Sequence, residues 1–279
     1  MKHTSDFGSQ IAKNGFKNEA AVIAKFNSWK TDTDSQGWLG QMGYDLKKIV
    51  LIEAIDGKEA KARLKSQGMK FDFGNVKTDV SVLVTIHLKN MVEPQKVSVK
   101  LVTAKYSPKK KKYGGFNQID RREVDNYNKL WKMPDSLVKT LKYFTGKLNP
   151  YISKPKDSRR MYLNEMKETE VNELVKYFEK NKVLVISDII KGRGALSAEW
   201  MLVALNKMES ENIKETIWTF KSINEVINYY SQGGVKISKN GNFSIARIKA
   251  QRKGGDNGRE SAKSLQFKFD PLELLFPKA

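Results

Sequence analysis

The chain contains no cysteine and only two histidines, His3 and His87. The first absence excludes disulfide frameworks, thiolate zinc sites and cysteine nucleophiles. The second excludes zinc fingers, histidine-rich nuclease sites and paired-histidine metal centres. Metal chemistry is left to carboxylates, carbonyls and water, the hard oxygen donors that suit Mg²⁺. Long apolar runs are also missing: none approaches the ~20 residues needed to span a bilayer, and the N-terminal MKHTSDFGS has no apolar h-region. These features predict a cytoplasmic protein with no membrane partner.

What the chain has in excess is positive charge. Lys and Arg number 51 against 31 Asp and Glu, a formal net charge of +20 over 279 residues. Such an imbalance calls for a polyanionic partner, nucleic acid first. A hydrophobic fraction of 39% supports a sizeable core, so the charge decorates a folded domain and not a disordered tail.

Apolar positions at Phe16, Ile23 and Phe26 recur at helical spacing and predict a first helix over Gln10 to Trp29. From Val80 to Leu88 the pattern switches to alternation, a strand. Lys89, Asn90 and the Pro94 region turn the chain, and a second strand runs from Lys96 to Ala104. The segment KYSPKKKKYGG (Lys105 to Gly115) reads as an exposed loop with four consecutive lysines. Helix is expected from Gln118 to Lys132, and Leu141 to Arg160, with Pro150 and Pro155, is linker-like. Beyond it the patterns predict a helix near Val171 to Phe178 and strands at Val183 to Ile190, Trp200 to Leu205 and Thr216 to Phe220. A short helix near Asn224 to Tyr230 follows, then a hairpin turn at Lys239 to Asn242 before a strand from Phe243 to Ala250. Helices mix with strands without regular alternation, which predicts an α/β fold of the α+β type with a mixed sheet. The chain reads as one domain, with residues 1–145 mainly a catalytic core and 146–279 mainly a recognition half.

Asp79 opens the first strand of the hairpin, and Ser98 and Lys100 lie two apart on the second, on one face. In register, acid and lysine converge. A carboxylate there can hold a divalent ion against a scissile phosphate, with an ammonium to orient water or neutralise developing charge, and the Val99 carbonyl is a further candidate ligand. These residues alone equally allow an Asp79 that caps a turn and a solvated Lys100. Positions 16, 19, 23 and 26 form one helical stripe that aims Glu19 inward, where an acid needs a partner.

This layout resembles the PD-(D/E)xK nuclease core. Longer strings are more specific: NGFKNE (Asn14 to Glu19), GFNQID (Gly115 to Asp120), KDSRRM (Lys156 to Met161), KGRG (Lys191 to Gly194) and QRKGGDNGRE (Gln251 to Glu260). Together, from about Gly8 to Leu275, they are similar to type II restriction endonucleases that cut the palindrome GCGC, and more remotely to a CCGG-cutting relative. The resemblance implies a restriction-endonuclease-like core, with helices flanking a central mixed β-sheet. It also implies Mg²⁺-dependent cleavage of double-stranded DNA, with Mn²⁺ able to substitute. The active site would hold Asp79, Ser98, Val99, Lys100 and Glu19, with Asp79, Val99 and Glu19 on the metal. Thr78 stands where the superfamily has proline, and Ser98 where most members have Glu or Asp.

Several residues are candidates for the DNA surface. Phe116, Asn117, Gln118 and Asp120 join an apolar wedge to side chains that can read base edges, beside the lysine run that includes Lys109 and Lys110. Gln251, Arg252, Lys253, Asp256 and Arg259 surround glycines that let backbone approach DNA. Arg159, Arg160 and Arg193 are suited to phosphates. His87, Trp200 and Trp218 are expected to be packed. A cognate DNA methyltransferase is implied as functional partner, and a palindrome is served either by a homodimer or by sequential nicking. Without the resemblance, a repair or junction-specific nuclease and a non-catalytic DNA-binding protein remain alternatives.

Overall fold

A computed structural model describes residues 19–66, 81–108, 112–210, 212–254 and 259–277. Two sheets organise them. The first has the order β1 (Ile49–Asp56), β2 (Val82–Leu88), β3 (Met91–Ser107), β6 (Trp200–Glu209), β7 (Asn212–Ser222), with the short β4 (Lys112–Tyr113) on the end of β3. β3 and β6 run parallel while the other pairs are antiparallel, so the sheet is mixed as expected. The second sheet is antiparallel: β5 (Asn117–Arg122), β11 (Leu265–Phe269), β10 (Ile248–Arg252), β9 (Phe243–Ile245), β8 (Val235–Ile237). Each sheet draws strands from both sides of residue 146, so that boundary does not separate them.

Helix α1 (19–27) and α2 (Thr33–Gln41), capped where the Asp32 carboxylate accepts from Ser35 N at 2.8 Å, cover one face of the first sheet. Phe26, Trp38 and Leu39 meet Val84, Val97, Val99 and Leu202 there. α3 (Gly57–Ser66) follows β1 directly. On the other face Met201 and Val203 join a larger core with α4 (Val124–Trp131), α5 (Asp135–Thr145), α6 (Glu168–Lys180), α7 (Lys182–Lys191), α8 (Ile223–Tyr230) and the inner face of the second sheet. Central β6, covered on both faces, is apolar without interruption from Met201 to Leu205. Among the described residues no helix is long and apolar enough to cross a membrane.

Several local expectations change. The hairpin turns at Lys89 and Asn90 alone, and Pro94 lies inside β3, in the stretch before pairing with β6 begins at Val97. An edge of that kind tolerates a missing N–H. Residues Asn117–Arg122 are strand β5, not the start of a helix. The supposed linker begins with the end of α5. Val183 to Ile190 is helix: Val185, Ile186, Ile189 and Ile190 are buried while Val183 and Leu184 are exposed, a helical stripe that a short apolar run hides. The expected strand from Phe243 to Ala250 breaks at Ala246, whose φ of 50° turns the chain between β9 and β10. The start of the first helix, including Phe16, and Val80 of the first hairpin strand lie outside the described residues.

Candidate functional site

β2 begins opposite Val97, and beyond that point this edge of β3 is met first by Ser81. Ser81 N donates to the Val97 carbonyl at 2.9 Å, and Val99 N donates to Ser81 Oγ at 3.2 Å. In a strand the N–H and C=O of one residue point the same way. The Val99 carbonyl is therefore turned to this same edge. Glu19, in the first described turn of α1, reaches the corner too. Burial raises its carboxyl above the ordinary value, opposed by a hydrogen bond from Ser81 and by the charge of Lys100. Ser98 is fully buried, and its Oγ has no hydrogen-bond partner among the described residues. The structure thus brings Glu19, the Val99 carbonyl and Lys100 together at one edge, with Ser98 buried next to them in β3. Asp79 lies outside the described residues.

The GFNQID string is tied to that edge. Asn117 Nδ2 donates to the Leu101 carbonyl at 3.2 Å, and Gly115 packs so closely that a Cβ would stand 2.6 Å from Val102 Cγ1. From there β5 enters the second sheet, whose outward face is polar. One row across the strands runs Lys236, Ser244, Lys249, Lys268, Gln118, and the next contains Gln251, Gln266 and Arg121. Phe116, 47% exposed, carries the Lys249 ammonium 3.9 Å from its ring centroid. Gln266 joins Gln118 to Gln251 by hydrogen bonds on both sides.

A cavity of about 180 Å³ lies elsewhere, lined by Asp157, Arg159, Arg160, Tyr162, Arg252 and Gly254. Arg160 is buried, its guanidinium 4.0 Å from the centre of the Tyr162 ring. Arg252 Nε donates to the Thr145 carbonyl at 2.9 Å. Asp157 accepts from Arg159 at 2.9 and 3.0 Å, and these bonds hold its carboxyl below the ordinary range. Two strings distant in sequence, KDSRRM and QRKGGDNGRE, meet here as three arginines around one aspartate.

A family model described as R.HinP1I restriction endonuclease matches residues 42–275. The chain belongs to that family. It is a type II restriction endonuclease. Among solved structures it is similar to restriction endonuclease MspI, described in a crystal structure with its cognate DNA: 12% identity, TM-score 0.56, covering 90% of this chain and 87% of that one. At that identity the likeness concerns the fold. A search of curated proteins found no match.

Other candidate residues of the endonuclease fall in different places. Asp120 is not at the surface: it is 3% exposed, accepts from Arg121 N at 2.7 Å and lies 3.4 Å from Arg122 Nε. A bulge between Phe267 and Lys268 lets neighbouring Ile119 and Asp120 both turn inward, which simple alternation does not foresee. Arg193 pairs with the buried Asp188, its Nε donating to the carboxylate, which also accepts from Trp131 Nε1 at 2.8 Å. Gln251 and Arg252, adjacent in sequence, face opposite sides of the sheet, the arginine inward to the cavity. Arg259 is exposed and Lys253 partly so. Lys109, Lys110 and Asp256 lie outside the described residues. Trp200 stacks on Phe220 at 5.1 Å, Trp218 meets Trp38 at 5.6 Å, and His87 Nε2 is buried, all packed as expected. Sequence reasoning missed Ser81, Lys249, Gln266 and Lys268. The alternation in LQFKF (Leu265 to Phe269) carried the signal for the last two.

Proposed function

We propose that this endonuclease hydrolyses phosphodiester bonds of double-stranded DNA within the palindrome GCGC, using Mg²⁺ or Mn²⁺ and leaving 5′-phosphate and 3′-hydroxyl ends. The observation that carries the reading is the bond from Asn117 to Leu101: it joins the polar face of the second sheet to the strand that bears Lys100, so base reading and cleavage share one rigid frame. The donors at the β3 edge, the Glu19 carboxylate and Val99 carbonyl with Asp79 from sequence, are oxygens of the kind Mg²⁺ takes. These groups would hold the ion, which when bound polarises the phosphate and lowers the pKa of water.

The chain's own side chains do the rest. Lys100 supplies a positive charge at the reacting phosphate and can orient the attacking water. Ser81 positions Glu19 through its hydroxyl. The Lys249, Lys268 and Lys236 row, with Arg121, neutralises backbone phosphates, while Gln118 and Gln251 face base edges. Arg159, Arg160 and Arg252 gather a further positive centre suited to phosphate, and Phe116 is exposed as a wedge at a base step. The enzyme acts in the cytoplasm beside a cognate methyltransferase that protects host sites, and cuts both strands as a dimer or by successive nicks.

Digestion of plasmid DNA with Mg²⁺, followed by end-sequencing, tests the reading by giving site, cut position and overhang together. Discrete fragments ending at GCGC are expected; structure-dependent nicks or intact DNA would refute it. Lys100→Ala and Asp79→Asn are each expected to abolish cutting while specific binding, measured by gel shift, persists. Full cleavage by either variant would remove that residue from the site.

A further inference from the structure

Gln266 was not among the residues that the sequence singled out, yet it sits between two that were. It is 5% exposed in β11, with Gln118 of β5 on one side and Gln251 of β10 on the other. Gln251 Nε2 donates to Gln266 Oε1 at 3.1 Å, and Gln266 Nε2 donates to Gln118 Oε1. The three amides therefore form a relay with one direction.

A carboxamide has one accepting oxygen and one donating nitrogen, so spending one end inward decides which end faces out. Gln118 turns its oxygen to Gln266 and is left with its NH₂ for a ligand. Gln251 turns its NH₂ inward and is left with its oxygen. We propose that Gln266 is a positioning residue for base recognition: it fixes Gln118 as a donor and Gln251 as an acceptor on the outward face of the sheet. The inference rests on the reading that this face meets DNA.

The polarity matches a site made of G and C. In the major groove guanine presents two acceptors, O6 and N7, and cytosine presents the N4 amino donor. A fixed donor suits guanine and a fixed acceptor suits cytosine. Adenine puts an amino donor where guanine has O6, opposite the Gln118 donor. An amide free to rotate would accommodate either purine. A locked one rejects adenine, because a polar group left facing its own kind is unpaired.

The test compares kcat/KM on duplexes with the intact site and with one G·C pair replaced by A·T, at each position in turn, for wild type and three variants. Gln266→Glu offers acceptors only, so Gln118 must turn its NH₂ inward and present oxygen. Gln266→Met removes the relay without adding charge. Gln118→Glu alters the exposed member and leaves the buried position intact. At the position that Gln118 reads, each variant is expected to narrow the preference for G over A by about tenfold, within the range for one base contact. A purely structural role for Gln266 would lower both rates equally and lower the unfolding temperature, leaving the ratio unchanged, and that result overturns the proposal. Wild-type enzyme without any preference for G over A would overturn the DNA-facing reading along with it. Wild-type preference retained in both Gln266 variants overturns the assignment of Gln266 alone.

Discussion

Arg193 offers a direct measurement of how far tertiary structure redirects a charge that sequence assigns to DNA. Its Nε donates to Asp188, whose side chain is 1% exposed, and the same carboxylate accepts from Trp131. Arg193→Met leaves a buried anion with the indole N–H as partner. Breaking a fully enclosed pair costs about 3–5 kcal/mol. Water reaches the Arg193 side chain, which is 36% exposed, so the expected loss is smaller, about 2–3 kcal/mol. For a chain of this size that is roughly 3–5 °C in Tm. Scanning calorimetry measures the shift, and DNA affinity at several salt concentrations measures the other role. A phosphate contact contributes about 0.9 to the slope of log K against log salt. The expected result is a large fall in Tm with an unchanged slope. Unchanged Tm together with a slope reduced by about one unit would refute the reasoning and return Arg193 to the DNA interface. Asp188→Asn, which keeps an acceptor for Trp131 but removes the charge, is expected to lose less stability than Asp188→Ala.

Gly146 has a φ of +80°, and a Cβ there would overlap the Arg159 carbonyl oxygen, so Gly146→Ala is expected to cost at least about 2 kcal/mol in thermal unfolding and to weaken DNA binding by displacing Arg159 and Arg160. Gly115→Ala, against Val102 Cγ1 at 2.6 Å, is expected to separate β5 from β3 and lower kcat more than DNA affinity, measured by single-turnover cleavage and gel shift. Asp157 titrates below its ordinary value of 3.8 because of Arg159, so its stabilising contribution is complete above the ordinary carboxylate range and is lost as pH falls through the lower, folded value. The Tm difference between wild type and Asp157→Asn should therefore be constant near neutrality and shrink in acid; a difference that grows below about pH 4 would contradict the assignment.

The hairpin that carries Ser98 and Lys100 was legible because apolar and polar residues alternate along β2 and along Lys96 to Leu101 of β3, although in β3 Ser98 is buried as deeply as Val97 and Val99 on the other face. α8 was legible through the period of its apolar residues, and the structure adds a reciprocal cap between Ser222 and Glu225. Val183 to Ile190 misled because a short apolar run has no clear period, and burial of one helical stripe emerges only against neighbours. The Gln118 segment misled because its polar residues belong to the outward face of a sheet whose partner strand, β11, lies far along the chain.

By itself the sequence, through its strings in order, determined the family, and its composition narrowed the chemistry. Without cysteine and with two histidines, the composition points to oxygen donors and lysine for hydrolysis, and a net charge of +20 points to a polyanion. Composition and residue type suffice for this, since they do not depend on who neighbours whom. The tertiary structure decided the employment of each charge and amide. Arg193 and Asp120 serve the interior, Arg159, Arg160 and Arg252 gather around one cavity, and Gln266 couples two exposed glutamines. Such roles depend on partners brought close across long stretches of chain, and hydrogen bonds and ion pairs act only over a few ångströms.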